Sequence, residues 1–418
     1  MKTRIRSVVL LLSTVFVGRP TLVIADIDVV KRILATDFNS FVNRSPVRSA
    51  ETQSNLLSNS LVLTLGLTNA CLSDFMNILE KLVHGEKAFD LRGMCANLTM
   101  DSSAASNFGL QIRAQLDPEN NPFESLRSGY LWHHLLIDAV FSELFPSTAA
   151  LLTRLIRWKS CWDPGEFFQS RIKRLIAERE KTEIEHPDFL QICINGVKKQ
   201  RMSEVELIAN SFVTLCVVGY HTTALTLAFA IYELTHHADV QDRCAREAME
   251  NIDDIENINY NEINKLHYIE AVIMETVRLY PVFPMLMRHC TKDVELNGHW
   301  IPIGTKVIVP IYHIQRSAEC YGNPKLFQPD RFLGAASAQN SFTFLGFGQG
   351  PRKCIGAQKA MLEMRMTIAK LLHRFRFVKC EETPKYPLEL TTATISNGGA
   401  GAPVLMPKQR IIVKAERR

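Results

Sequence analysis

Nowhere in these 418 residues do two cysteines stand in a C-x-x-C pair, and no low-complexity tract, collagen-like glycine period or long heptad run occurs. The first absence removes support for a structural zinc site. The others exclude intrinsic disorder, collagen and coiled coil. Ten cysteines in a chain of this length fall far below the density of a disulfide scaffold. Most are therefore expected to be reduced and buried, in a protein facing a reducing compartment. Charge of one sign is also scarce: Lys+Arg 48 against Asp+Glu 43 leaves a net +5, spread along the chain. Nucleic-acid binding needs a concentrated basic stripe and is not supported.

What is present is a 46% hydrophobic share, enough for a large core. Length alone suggests about three domains, yet no Gly/Ser-rich linker divides the chain. The start, Met1-Lys2-Thr3-Arg4-Ile5-Arg6 followed by an apolar stretch over 7–17, resembles the basic and hydrophobic regions of a secretory signal. No small-x-small cleavage site follows, and a spanning helix needs about 20 residues. The favoured reading is a strand there, a second over 21–25 and a helix over 28–34. Further on, the pattern predicts helices through the first half, including 167–181. After Pro281 it predicts short strands at 294–296, 306–311, 404–406 and 410–413. The fold class is mainly α with small β-sheets, α+β rather than alternating β/α.

The longest predicted element begins at the capping box Ser203-Glu204-Val205-Glu206. No charged residue or proline interrupts 207–232, so hydropathy alone admits a membrane span. Asn210, Ser211, Thr214, His221, Thr222 and Thr223 stud the segment, and lipid offers such groups no partners. A long central core helix, about 45 Å from end to end, is the better reading.

The sharpest chemical signal is Phe347-Gly348-Gln349-Gly350-Pro351-Arg352-Lys353-Cys354-Ile355-Gly356, followed by an amphipathic helix over 357–375. A helix N-terminus and adjacent cations lower a thiol pKa, so Cys354 is expected to be a thiolate, either nucleophile or metal ligand. The glycines imply that something approaches the backbone closely.

This run, F-x-x-G-x-R-x-C-x-G, resembles the heme-binding loop of the cytochrome P-450 family, the heme-thiolate monooxygenases. The resemblance implies heme b as cofactor, with Cys354 as the iron ligand and Arg352 on a heme propionate. Phe347 would pack beside the thiolate, and Gly350 and Gly356 belong to the same loop, Gly356 letting the next helix pass under the porphyrin. Glu275-Thr276-Val277-Arg278 resembles the family's E-x-x-R, and Phe327-Gln328-Pro329-Asp330-Arg331-Phe332 its P-E-R-F segment, with Asp330 in place of Glu. Glu275, Arg278 and Arg331 would form a buried structural triad locking the loop ahead of Cys354. Arg288 matches a second propionate-binding arginine. Val218-Gly219-Tyr220-His221-Thr222-Thr223 resembles A-G-x-D/E-T-T on the central helix. There Gly219 would leave room for dioxygen and Thr222 would help protonate it. His221 replaces the acidic residue, either as a core histidine or as a proton relay.

The resemblance runs from about Val15 to the C-terminus, nearest to animal microsomal enzymes oxidising xenobiotics and steroids. It makes 15–418 one heme domain preceded by an atypical segment, with residues 281–287 and 396–398 beside the substrate. It implies a small lipophilic substrate, O2, and electrons from NADPH through a cytochrome reductase docking near Lys353 and Lys359, with cytochrome b5 as a further partner. It implies the cytosolic face of the endoplasmic reticulum membrane. The family's anchor helix is missing ahead of Val15, which leaves peripheral membrane association or a cytoplasmic location. The family's W-x-x-x-R helix has no match: Trp132, Trp158, Trp162 and Trp300 lack an arginine at the fourth position. An internal deletion near 60–75 accounts for this, and makes a non-catalytic heme binder the alternative to a monooxygenase. A cysteine-nucleophile enzyme ranks last, because no histidine motif accompanies Cys354.

Overall fold

The computed structural model describes residues 14–16, 19–43, 60–118, 164–182, 188–200, 219–334, 342–397 and 400–418, with isolated positions 186, 203, 204, 207, 208 and 211. Two short strands, β1 (Thr14–Phe16) and β2 (Arg19–Val23), open the described chain. They lead into α1 (Ile27–Lys31), which continues as a π-helical turn over Arg32–Thr36. Asp26 starts α1 by accepting the Val29 amide at 3.0 Å, satisfying one of the N–H groups that a helix start leaves over. The residues before Thr14, where the signal-like stretch begins, lie outside the described residues.

Helices then dominate: α2 (Ser60–His84), α3 (Leu91–Phe108), α4 (Pro164–Thr182), α5 (Phe189–Lys198), α6 (His221–His236), α7 (Ala238–Asn251), α8 (Tyr260–Ile263) and α9 (His267–Leu279). A two-residue strand, β3 (Phe89–Asp90), precedes α3. Asp90 caps α3 through the Arg92 amide, and Gly109 ends it at φ 66°, a left-handed geometry suited to glycine. Strands β4 (Leu286–His289), β5 (Val294–Leu296), β6 (His299–Ile301) and β7 (Lys306–Val309) follow, then α10 (Ile311–Ile314) and α11 (Ala357–Arg374). Strands β8 (Phe375–Val378), β9 (Leu390–Asn397), β10 (Ala400–Pro407) and β11 (Ile412–Arg417) complete the chain.

The strands form small sheets rather than one large one. One has the order β1-β2-β7-β4, with β2 and β7 parallel and the other pairs antiparallel. In another, β11 pairs with both β3 and β8, joining the C-terminus to the start of α3. Buried apolar side chains of α2, α3, α6, α9 and α11 make the main core, and a second cluster lies under the four-stranded sheet. Leu345, just ahead of the cysteine loop, belongs to that second cluster and is fully buried.

One expectation is corrected. The central helix does not continue through Gly219: that residue and Tyr220 form a bend, and α6 starts at His221. Its 16 residues span about 24 Å, and positions 204, 207, 208 and 211 ahead of the bend are helical as well. Glycine is a poor helix former, and the bend is held from outside. The Thr99 hydroxyl of α3 lies 2.9 Å from the Cys95 carbonyl and 3.0 Å from that of Tyr220. Val205 and Glu206 of the capping box lie outside the described residues. No helix among the described residues is long and apolar enough to cross a membrane.

The far end of α6 is pinned by a buried carboxylate. Glu233 is fully buried and accepts a very short hydrogen bond from the Tyr280 hydroxyl, while Tyr280 stacks on Phe229 at 4.8 Å. Burial pushes the Glu233 carboxyl up to about 7, against the opposing pull of the Tyr280 hydrogen bond. An acid whose folded pKa is raised contributes most below its ordinary value and loses that contribution as pH rises through the folded one. Stability should therefore fall as pH climbs from 4.5 through about 7. Glu233→Gln should flatten that slope in urea titrations at several pH values; an unchanged slope would contradict the assignment.

Candidate heme-thiolate site

Helix α9 carries Glu275 and Arg278 three residues apart, so both fall on one face. Both are wholly buried. The Arg278 guanidinium donates from Nε to Oε2 at 2.6 Å and from Nη2 to Oε1 at 2.8 Å, a two-pronged pair. Arg331 adds Nε to Oε1 at 3.1 Å, and the Gln328 amide donates to the same oxygen at 2.8 Å. The remaining Arg278 donors reach carbonyls of Gln315 (2.7 Å), Pro324 (2.8 Å) and Leu326 (3.2 Å). The three residues singled out from sequence are thus brought together, and the triad ties α9 to the segment over 315–331. Asp330 stands outside it, on the surface with Arg243 at 2.7 Å.

The cysteine loop follows. Gly348 and Gly350 have φ 71° and 77°, in the region where side chains are strained. The Cys354 amide donates to the Phe347 carbonyl at 2.7 Å, and that of Lys353 to Gly350 at 3.0 Å, closing a tight turn. A side-chain carbon at Gly350 would sit 1.9 Å from the Leu34 carbonyl oxygen, so the π-helical turn after α1 is what requires glycine there. At Gly356 a side-chain carbon would meet nothing within 4 Å; that glycine faces open space at the start of α11. Cys354 is the one exposed cysteine among the described residues. Burial pushes the thiols of Cys71, Cys95 and Cys193 up to about 12, leaving them inert.

Arg288 lies on β4 and is only 1% exposed, a buried cation whose Nη1 donates to the Met287 carbonyl at 2.9 Å. Arg352 and Phe347 are half-buried, Phe347 against the main core. A soft thiol and guanidiniums are the residue types that an iron centre carrying carboxylates calls for. Heme b therefore fits the residues present. Trp300, the one described tryptophan, is 65% exposed on β6 and belongs to no such set.

Across the core, Gly219, His221 and Thr222 sit at the start of α6, which packs on α3, α9 and α11. Thr222 is half-buried, and its carbonyl accepts the Thr226 hydroxyl at 2.9 Å. His221 stands edge-on to Tyr220 at 5.9 Å and lines a cavity of about 330 Å³ with Asp90, Arg92 and Arg410. Burial, and then the Arg92 charge, lower its pKa to about 4, so the imidazole is neutral at physiological pH. Its proton cannot be supplied by ordinary titration near 6.5.

Two residues escaped the sequence reading. Gln315 is fully buried and accepts the Leu345 amide at 2.7 Å, while donating to the carbonyls of Val277 (3.2 Å) and Arg278 (3.0 Å). A side-chain carbon at Gly346 would lie 2.1 Å from Val277 Cγ1, so the loop presses directly on α9. A lone glutamine carries no motif; the Gly346 signal was present but masked by the better-known glycines after it.

Comparison with known proteins agrees with this geometry. A family model described as Cytochrome P450 matches residues 54–398, and the chain belongs to the cytochrome P450 family, whose members are heme b monooxygenases. Within it, the chain is 30% identical to Cytochrome P450 3A12 of Canis lupus familiaris, over 96% of this chain and 83% of that protein. It is 28% identical to Cytochrome P450 3A5 of Homo sapiens and to Cytochrome P450 3A41 of Mus musculus, with the same coverage.

Because the Arg92 charge adds to burial, the larger cause, in depressing His221, Arg92→Gln should raise the His221 pKa part of the way from about 4. NMR titration of the imidazole carbons measures this; an unmoved value would assign the whole depression to burial.

Proposed function

We propose that Cys354 is the thiolate ligand of heme b in this chain, and that the enzyme inserts one oxygen atom from O2 into a small lipophilic substrate. What carries the reading is the accessible Cys354 at the head of α11, in a glycine-bound turn whose approach at Leu345 is tied through Gln315 to the end of α9, the helix that carries Glu275 and Arg278 of the triad. Bound there, heme b supplies the redox centre for dioxygen chemistry, and an anionic sulfur ligand favours O–O cleavage. Arg352 and Arg288 would pair with its propionates, the task a W-x-x-x-R helix would share. Phe347 shields the sulfur, and Gly350 and Gly356 keep the loop and the head of α11 clear of side chains.

On the opposite face, Gly219 opens the start of α6 and the Thr222 hydroxyl holds and passes a proton. Neutral His221 orients that neighbourhood by hydrogen bonding without carrying charge. The substrate wall is formed by the half-buried apolar side chains Phe283, Met285, Leu286 and Met287. The β9–β10 hairpin joins it, since the Leu405 amide donates to the Val282 carbonyl at 2.8 Å. Electrons arrive from NADPH through a reductase docking on Lys353 and Lys359, with cytochrome b5 as a second donor. The chain works as one heme domain over 15–418, with an internal deletion near 60–75, on the cytosolic face of the endoplasmic reticulum membrane.

The absorption spectrum of the reduced protein under carbon monoxide tests the ligand. A thiolate-type Soret band that Cys354→Ala removes is expected; a band that survives the substitution overturns the assignment. For the distal face, Thr222→Ala should cut product formation by about a hundredfold, the scale of a lost proton-transfer group, while NADPH consumption continues. Product and NADPH measured together, with reductase supplied, decide this; undiminished coupling removes Thr222 from proton delivery.

A further inference from the structure

A helix leaves its last four carbonyls without intrahelical donors. At the end of α9 all four are taken. Thr276 accepts the Tyr280 amide at 2.7 Å, and Leu279 accepts Arg316 from Nε at 3.0 Å and Nη2 at 2.7 Å. The two between them, Val277 and Arg278, both accept the side-chain amide of Gln315. That uses both Nε2 donors, and the carbonyl oxygen of the same amide takes the Leu345 N–H. The backbone carbonyl of Gln315 in turn accepts Arg278 Nη1. One buried residue therefore touches the triad, the end of its helix and the chain entering the cysteine loop.

From Leu345 the contact is relayed by short steps. The Leu345 carbonyl accepts the Gly348 amide at 2.8 Å, and the Phe347 carbonyl accepts that of Cys354. Gly346 lies against Val277 with no room for a side chain, so the loop cannot drift sideways. The Gln315 amide thus bonds directly to the chain entering the cysteine loop.

We propose that Gln315 is a positioning residue for Cys354, clamping the end of α9 to Leu345 so that the thiolate is presented at a fixed height. This rests on reading Cys354 as the heme ligand. Residues that orient a metal ligand from behind cost about 10- to 100-fold in affinity when removed. Gln315→Met keeps the side-chain volume and deletes all three hydrogen bonds.

The full-length chain and Gln315→Met are compared for heme affinity, for the reduced carbon-monoxide spectrum and for hydrogen exchange at the Leu345 amide. Expected for the variant are heme affinity lower by about 10- to 100-fold, a smaller fraction of thiolate-type Soret band, and faster exchange at Leu345 with α11 still protected. Unchanged affinity and spectrum in a folded variant overturn the proposal. If the variant does not fold, exchange in the unaltered protein decides: Leu345 should exchange only with global unfolding, and loop-like exchange overturns the clamp. If the unaltered protein shows no thiolate-type band, the reading of Cys354 fails by itself, and Leu345 exchange still judges Gln315.

Discussion

Removing a carboxylate wholly from water costs several kcal/mol, and the fold depends on how Glu275 offsets that cost. Two guanidiniums and one backbone amide surround it, so its charge is neutralised and its oxygens are satisfied. The arrangement is strict in both directions. Deleting Glu275 would strand the buried Arg278, and deleting Arg278 would also release three carbonyls from a segment with little regular structure. A pair of this kind adds little net stability over an apolar substitute. What it adds is definition: three carbonyls of residues 315–326 accept Arg278, Gln328 and Arg331 donate to Glu275, and the chain into the cysteine loop follows.

Electrostatic selection separates the cysteines in the same physical terms. Burial raises the thiols of Cys71, Cys95 and Cys193 and holds them protonated. Cys354 alone combines exposure with a place ahead of a long helix. Reactivity is thus a property of position rather than of residue type. The positive-φ glycines matter for the same reason: at Gly350 the limit is the Leu34 carbonyl, which brings the N-terminal π-helical turn against the loop.

The triad was legible through the resemblance of its two motifs, Glu275-Thr276-Val277-Arg278 and the Pro-Asp-Arg-Phe turn, to those of the family; spacing alone does not single it out, since most such i to i+3 ion pairs are solvated surface pairs. Strands such as 294–296 and helices such as α11 followed from periodicity. Three features did not. The break before α6 depends on Thr99 of a distant helix reaching the Tyr220 carbonyl, and local pattern favours a continuous helix there. The union of β3, β8 and β11 is non-local pairing, and a two-residue strand carries no period. Gln315 is a single buried amide whose meaning lies in three partners 30 to 38 residues away along the chain.

The cysteine loop and the start of α6 are built on opposite principles. Behind Cys354, charges are paired and helix ends are filled, so geometry is over-determined. At the start of α6, the helix opens beside a cavity lined by Arg92, Arg410 and Asp90. A carboxylate at position 221 would meet the Arg92 charge and be drawn into an ion pair, which fixes both groups. Imidazole avoids this: with its pKa near 4 it is uncharged, yet offers one donor and one acceptor. The replacement of the acid by His221 therefore keeps a polar group beside Thr222 while leaving the Arg92 charge to act on the cavity.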